Sequence, residues 1–128
     1  MKHEIITEDF RFSLEVERID SGTELFLFVC SNDFGAKARY TIEISDVAWF
    51  ANRMWDLYEK LEGNVSLEDC DGDDFCITFE VRKCGYIQIS GYLVERTYGQ
   101  ELHFQNEIEQ SYVKEFCYGL KKECGTSL

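Results

Sequence analysis

The clearest periodic pattern in the chain is helical and lies between residues 45 and 63. Ser45 is predicted to cap the start of this helix, because its hydroxyl can accept an unpaired backbone N–H. Gly63 is predicted to end it in a left-handed conformation. Met54 and Leu57 lie at the centre of the apolar face and are predicted to be buried. Apolar residues recur at spacings of three and four, which places them on one face: Val47, Phe50, Ala51, Met54, Leu57, Tyr58 and Leu61.

Before this helix the pattern changes to alternation, which is typical of strands with one buried face. Apolar and polar residues alternate from Phe10 to Glu17 and from Ala36 to Ile44. Between these segments, residues 24–30 read ELFLFVC, and this continuous apolar run predicts a central strand covered on both faces. Turns at residues 20–22 and 32–35 are predicted to join the three strands into an antiparallel meander.

After the helix, a short strand is predicted around Val65 and Leu67, followed by alternating segments 75–81, 86–93 and 102–109. Gly91 indicates a bulge or a close approach of two backbones. A second helix is predicted from about Ser111 to Glu123. The sequence therefore predicts an α+β fold: a mainly antiparallel β-sheet of seven to eight strands in hairpins and meanders, with two helices packed on it. No linker or repeat divides the chain, so residues 1–128 are predicted to form a single domain.

Composition limits the classes of partner. The chain has 25 Asp and Glu against 13 Lys and Arg, a net charge of −12. Such a charge disfavours nucleic acid and anionic membranes. It suits a basic partner, or it keeps a small protein in solution, and both interpretations stay open. No signal-peptide pattern or membrane span is present, so we expect a cytoplasmic protein whose six cysteines are free thiols.

An acidic segment before the strand at residue 75 is the most distinctive local feature. Three of its carboxylates, with Glu80, are spaced roughly as in a calcium-binding loop, but Asp74 stands where such loops require glycine. A solvated hairpin loop and an anionic patch that receives a basic partner are the other interpretations. On the last of these, five residues are candidates for partner binding: Glu68, Asp69, Asp71, Asp73 and Asp74.

Motifs for catalysis are missing from the sequence. There is no G-x-S-x-G, no H-E-x-x-H and no glycine-rich phosphate loop. His3 and His103 share no metal-ligand spacing with any pair of cysteines. We therefore predict no catalytic residue, no cofactor and no metal site. An enzyme that uses cysteine or histidine chemistry remains a third hypothesis, because residues distant in sequence can meet in space.

Several longer segments follow the first helix in a distinctive order. They are 57–63 (LYEKLEG), 65–69 (VSLED), 75–80 (FCITFE), 85–93 (GYIQISGYL), 100–104 (QELHF) and 108–116 (IEQSYVKEF). Over roughly the last two-thirds of its length, the chain resembles the WapI-family immunity proteins of bacterial polymorphic toxin systems. The strand ending in Ser90-Gly91-Tyr92 and the Glu-Gln-Ser-Tyr start of the last helix are the most specific parts. Where the family usually has Asp before the glutamine, this chain has Glu109.

This resemblance implies a non-catalytic protein that binds a cognate secreted toxin domain in the cytosol and neutralises it, by occluding its active site. Toxins of this kind are often nucleases with basic clefts, for which an acidic surface gives fast, steered association. The alternative from another class is a small-molecule-binding or regulatory α+β module. Such a module needs a concave apolar pocket with a few polar groups.

Overall fold

Two four-stranded antiparallel sheets and two helices form the fold of the computed structural model, which describes residues 1–20, 22–69 and 72–125. The N-terminal sheet has the order β1 (Lys2–Ile6), β2 (Phe10–Ile19), β3 (Gly22–Ser31) and β4 (Phe34–Ile42). The C-terminal sheet has the order β5 (Asn64–Glu68), β6 (Phe75–Val81), β7 (Tyr86–Glu95) and β8 (Gln100–Glu109). Helix α1 (Ile44–Lys60) joins the sheets, and α2 (Lys114–Cys124) ends the described chain. The predicted α+β class is confirmed.

The two sheets and the two helices share one core. Strand β4 contacts β7 and β3 contacts β8, so the sheets meet through their inner faces. On the other side of the core, α1 packs on β5, α2 packs on β1, and the helices pack on each other. Tyr40 of β4 stacks on Phe75 of β6 with ring centroids 4.5 Å apart. Its hydroxyl donates to the Val94 carbonyl at 3.0 Å, and burial raises the pKa of Tyr40 to about 12.

Three phenylalanines, one from the N-terminal sheet and one from each helix, pack around Phe79 of β6. The four rings together represent every layer of the core. The centroid of the Phe79 ring lies 6.0 Å from those of Phe12 in β2, Phe50 in α1 and Phe116 in α2. All four side chains are fully buried. Aromatic pairs at this separation contribute about 0.5–1.5 kcal/mol each beyond their burial. This phenylalanine cluster therefore holds the sheets and helices in one arrangement.

The predicted buried face of the first helix is confirmed, but both of its predicted ends are wrong. Met54 and Leu57 are buried, as expected. The helix begins before Ser45, however, because the Glu43 carbonyl already accepts the N–H of Asp46 at 3.0 Å. It ends at Lys60, and Leu61 caps it in the left-handed conformation, with φ 52°, its N–H donating to the Leu57 carbonyl at 2.8 Å. Gly63 also has a positive φ, 89°, but it lies beyond the cap, where its carbonyl accepts the N–H of Val81 at 3.0 Å.

The prediction that residues 24–30 are covered on both faces is wrong. Leu25, Leu27 and Val29 of β3 are buried in the core, whereas Phe26 and Phe28 on the other face are partly exposed. Both helices pack on the inner sides of the sheets, so no described element covers the outer face of β3. The prediction for Gly91 is confirmed, because a Cβ there would collide with the Cys76 carbonyl oxygen of the neighbouring strand. Among the described residues, no helix is long and apolar enough to cross a membrane.

A small polar cluster links β1 to α2. The Nε2 atom of the buried His3 lies 2.6 Å from Oε1 of Glu123, and the N-terminal ammonium lies 3.2 Å from Oε2. Burial alone would raise the pKa of Glu123. The hydrogen bonds from His3 and the N-terminus outweigh that effect, so the pKa falls below its ordinary value of 4.5.

Glu123→Gln should therefore destabilise the protein in a pH-dependent way. A lowered folded-state pKa means that the carboxylate contributes its full stability above pH 4.5 and loses it as the pH falls through the folded value. We expect a loss of about 1 kcal/mol at neutral pH, measured by urea unfolding, and a smaller loss near pH 3. Glu4→Gln, an exposed site on β1, is the matched control and should change little. A loss that is equal at both pH values would contradict this account.

Phe79→Ala should be far more destabilising than the same change at an exposed phenylalanine. Removing a fully buried ring from the cluster costs about 3–5 kcal/mol. Phe34, whose side chain is 74% exposed, is the matched control, and Phe34→Ala should cost less than about 0.5 kcal/mol. Urea unfolding midpoints of the two variants provide the measurement. Equal losses would show that the cluster does not hold the layers together.

Candidate protein-binding surfaces

The acidic loop between β5 and β6 is organised by Asp69. Its carboxylate accepts the backbone N–H of Asp74 at 3.2 Å and that of Phe75 at 3.5 Å. Its carbonyl accepts the N–H of Gly72 at 2.9 Å. The hydroxyl of Tyr92 in β7 donates to the Gly72 carbonyl and ties the loop to the sheet. Asp69 therefore shapes the loop from within.

The charge of Asp74 is neutralised by Arg96, which lies outside the acidic loop. Nε of Arg96, in the hairpin between β7 and β8, lies 2.5 Å from Oδ1 of Asp74. The Arg96 guanidinium also donates to the Asp73 carbonyl at 3.4 Å. Of the five candidate residues, Glu68 and Asp73 are left exposed and without an ion pair among the described residues. Asp71 lies outside the described residues.

Glu68 and Asp73 continue an acidic surface on the outer face of the C-terminal sheet. The strand register aligns Glu68, Cys76, Tyr92 and His103 across the four strands of the sheet. Glu101 and His103 pair at 3.2 Å, and Glu80 pairs with Arg82 at 2.9 Å. The pKa of Tyr92 is raised, first by burial and second by the negative charges around it. The hydroxyl therefore stays protonated and donates to the loop. We call this surface the acidic face, and it consists of Glu68, Asp73, Glu80, Glu101 and Glu107.

The residues of the calcium-loop hypothesis are not gathered around a common point. The carboxylate of Asp69 accepts hydrogen bonds from backbone N–H groups, and that of Glu80 forms an ion pair with Arg82 on the sheet. Asp71 is outside the described residues. Within the described ranges, no group of three or more His, Cys, Asp or Glu is arranged to hold a metal ion.

The histidines and cysteines have structural environments. His3 and His103 both bond to glutamates, Glu123 and Glu101. Among the described residues, Cys30, Cys76, Cys84, Cys117 and Cys124 are free thiols, and Cys70 is outside this set. Burial raises the pKa of Cys117 to about 12 and that of Cys124 to about 11. Both thiols therefore stay protonated at neutral pH, a form that is a poor nucleophile.

A groove on the outer face of the N-terminal sheet was missed by the sequence analysis. It has a volume of about 470 Å³. Its lining includes two aromatic rings, three bases and one acid: Phe26, Phe28, Lys2, Lys37, Arg39 and Glu15. Lys37 Nζ lies 6.0 Å from the ring centroid of Phe28. Lys37 and Arg39 of β4 could have indicated this groove, because charged side chains on one face of a strand favour a face that is open to solvent.

No family model and no curated protein matches the chain. Several solved structures are similar to it, including the following two. MRP1/MRP2 of Trypanosoma brucei has a TM-score of 0.56 at 10% identity, covering 95% of this chain and 81% of that one. WHY3 from Arabidopsis thaliana has a TM-score of 0.49 at 9% identity, covering 95% of this chain and 85% of that one. The similarity to MRP1/MRP2 shows that the fold occurs in another protein, and it shows nothing more.

Asp69→Ala should loosen the acidic loop, whereas Asp73→Ala should not. Removing the Asp69 carboxylate leaves two backbone N–H groups without their acceptor, and hydrogen bonds to a charged group contribute about 1.5–3 kcal/mol. We expect the amides of Asp74 and Phe75 to exchange with deuterium at least about tenfold faster, as read by NMR. Asp73 is exposed and serves as the matched control. Unchanged protection in Asp69→Ala would contradict this role.

Proposed function

We propose that this protein is a non-catalytic immunity protein that binds a cognate secreted toxin domain in the cytosol and neutralises it. The observation that carries this proposal is the acidic face, which extends from the acidic loop over the outer side of the C-terminal sheet. The sequence resemblance to WapI-family immunity proteins supplies the class of partner. The partner is a toxin domain with a basic active-site cleft, which the acidic face occludes.

The arrangement of the charges supports this choice of surface. Glu68 and Asp73 are exposed: Glu68 ends strand β5, and Asp73 lies in the loop that Asp69 and Tyr92 hold in place. Carboxylates held in place before binding lose little conformational entropy when a partner arrives. In a chain of net charge −12, they also attract a basic surface over distances near the Debye length, about 8 Å at physiological salt.

The groove on the N-terminal sheet favours the alternative, a small-molecule-binding or regulatory module. Its volume of about 470 Å³ lies within the range of ligand sites. Phe26 and Phe28 offer an apolar floor, and Lys37 and Arg39 offer positive charge, a combination that suits a small aromatic carboxylate. NMR shifts at these four residues on addition of benzoate and indole acetate would support this alternative.

The immunity function is tested with the C-terminal domain of the large secreted protein that we expect to be encoded next to this chain. Glu68→Gln/Asp73→Asn should slow association about three- to tenfold at low salt and flatten its salt dependence. The melting temperature should not change, because both side chains are exposed. Glu4→Gln/Glu17→Gln removes the same charge from the N-terminal sheet and is the matched control.

The outcomes separate the function from the surface. If the unchanged protein neither binds that domain nor protects cells that express it, the immunity function is wrong. If it binds and protects but both double variants associate equally fast, the function stands and the acidic face is not the contact surface.

A further inference from the structure

Strand β4 is an edge strand whose outer side has no partner among the described residues. Asn32 and Asp33 form the two-residue turn before it, with φ of 50° and 73°. In such a hairpin the flanking residues, Ser31 and Phe34, form a hydrogen-bonded pair. Backbone direction alternates along a strand, so N–H and C=O groups at alternate positions point away from β3. These positions are Gly35, Lys37, Arg39 and Thr41.

A groove of about 160 Å³ runs beside this free edge, between β4 and the hairpin of β7 and β8. Its apolar lining consists of Ala36, Ala38, Leu93, Val94 and Leu102, and its polar lining of Lys37, Glu95, Gln100 and Glu101. The small alanine side chains leave the space open. At one end of the same row, Phe34 is 74% exposed. At the other end, Tyr40 closes the row by stacking on Phe75.

The outer side of the same edge is positively charged. Lys37 and Arg39 are exposed, and neither forms an ion pair with a described residue. Charged residues on an edge strand are also a common protection against aggregation. That explanation does not account for a groove with an apolar floor beside the edge, or for the exposed side chain of Phe34.

We propose that the free edge of β4 binds an extended, acidic segment of a partner protein by strand addition. The segment forms main-chain hydrogen bonds with the edge, its apolar side chains enter the groove at Ala36 and Ala38, and its alternate acidic side chains face Lys37 and Arg39. A second copy of β4 fits less well, because an antiparallel pair would place Lys37 beside Arg39 of the other copy. The edge belongs to the N-terminal sheet, and the groove beside it adjoins the acidic face at Glu101.

The probe is a heptapeptide with fluorescein on its N-terminal amine, fluorescein-Glu-Val-Glu-Val-Glu-Leu-Glu-amide. Its binding is followed by fluorescence anisotropy at about 0.15 M salt, where long-range repulsion is screened. Arg39→Pro should weaken binding at least about tenfold, because proline removes the edge N–H but is tolerated where that N–H faces solvent. Gln105→Pro is the matched control. Because Val94 donates to Asp74 across β6, alternate residues of β8, including Gln105, face its free edge. That variant should bind the peptide normally.

A charge reversal makes the test independent of how well Arg39→Pro folds. Lys37→Glu/Arg39→Glu changes exposed side chains and should bind the peptide at least about tenfold more weakly, while gaining affinity for the same peptide with Lys in place of Glu. Three results would overturn the proposal: no binding to the unchanged protein at about 1 mM peptide, equal binding of a shuffled peptide, or equal weakening by Gln105→Pro.

Discussion

Contact among four phenylalanine rings is the constraint on which the rest of the structure depends. Phe79 receives one ring from the N-terminal sheet, one from each helix, and contributes its own from the C-terminal sheet. Neither sheet can bury its apolar face alone, because a four-stranded sheet has only one covered side until another layer packs on it. The cluster joins the four layers at one point. Because successive side chains of a strand point to opposite faces, β3 and β6 bury alternate residues toward this core.

The same constraint decides which surfaces remain for partners. Both helices occupy the inner side, so the outer faces of the sheets and their edge strands lack a covering layer in the described chain. The outer face of the C-terminal sheet is acidic, whereas that of the N-terminal sheet combines Phe26 and Phe28 with bases. A rigid core therefore presents two chemically different surfaces.

Features set by local pattern were predictable from the sequence, and features set by distant contacts were not. Alternation predicted the inward residues of β2 and β6, and helical spacing predicted the burial of Met54 and Leu57. The division into two sheets, strand β1 and the exposed face of β3 depend on how layers pack, which no local pattern records. The pairing of Asp74 with Arg96 joins residues 22 positions apart and was likewise invisible. The helix ends were predicted from cap-forming residue types, Ser45 and Gly63, whereas the helix is capped by Glu43 and Leu61, which are not typical cap residues.

Net charge alone describes this protein poorly, because its charges are distributed unevenly. The net charge of −12 predicts repulsion of every acidic partner at long range. At contact distance, screening limits such repulsion to about one Debye length, and local groups decide the outcome. At the edge of β4 those groups are Lys37 and Arg39, which have no acidic partner in the described chain. The fold therefore places its acidic face and its unpaired basic edge on different sheets.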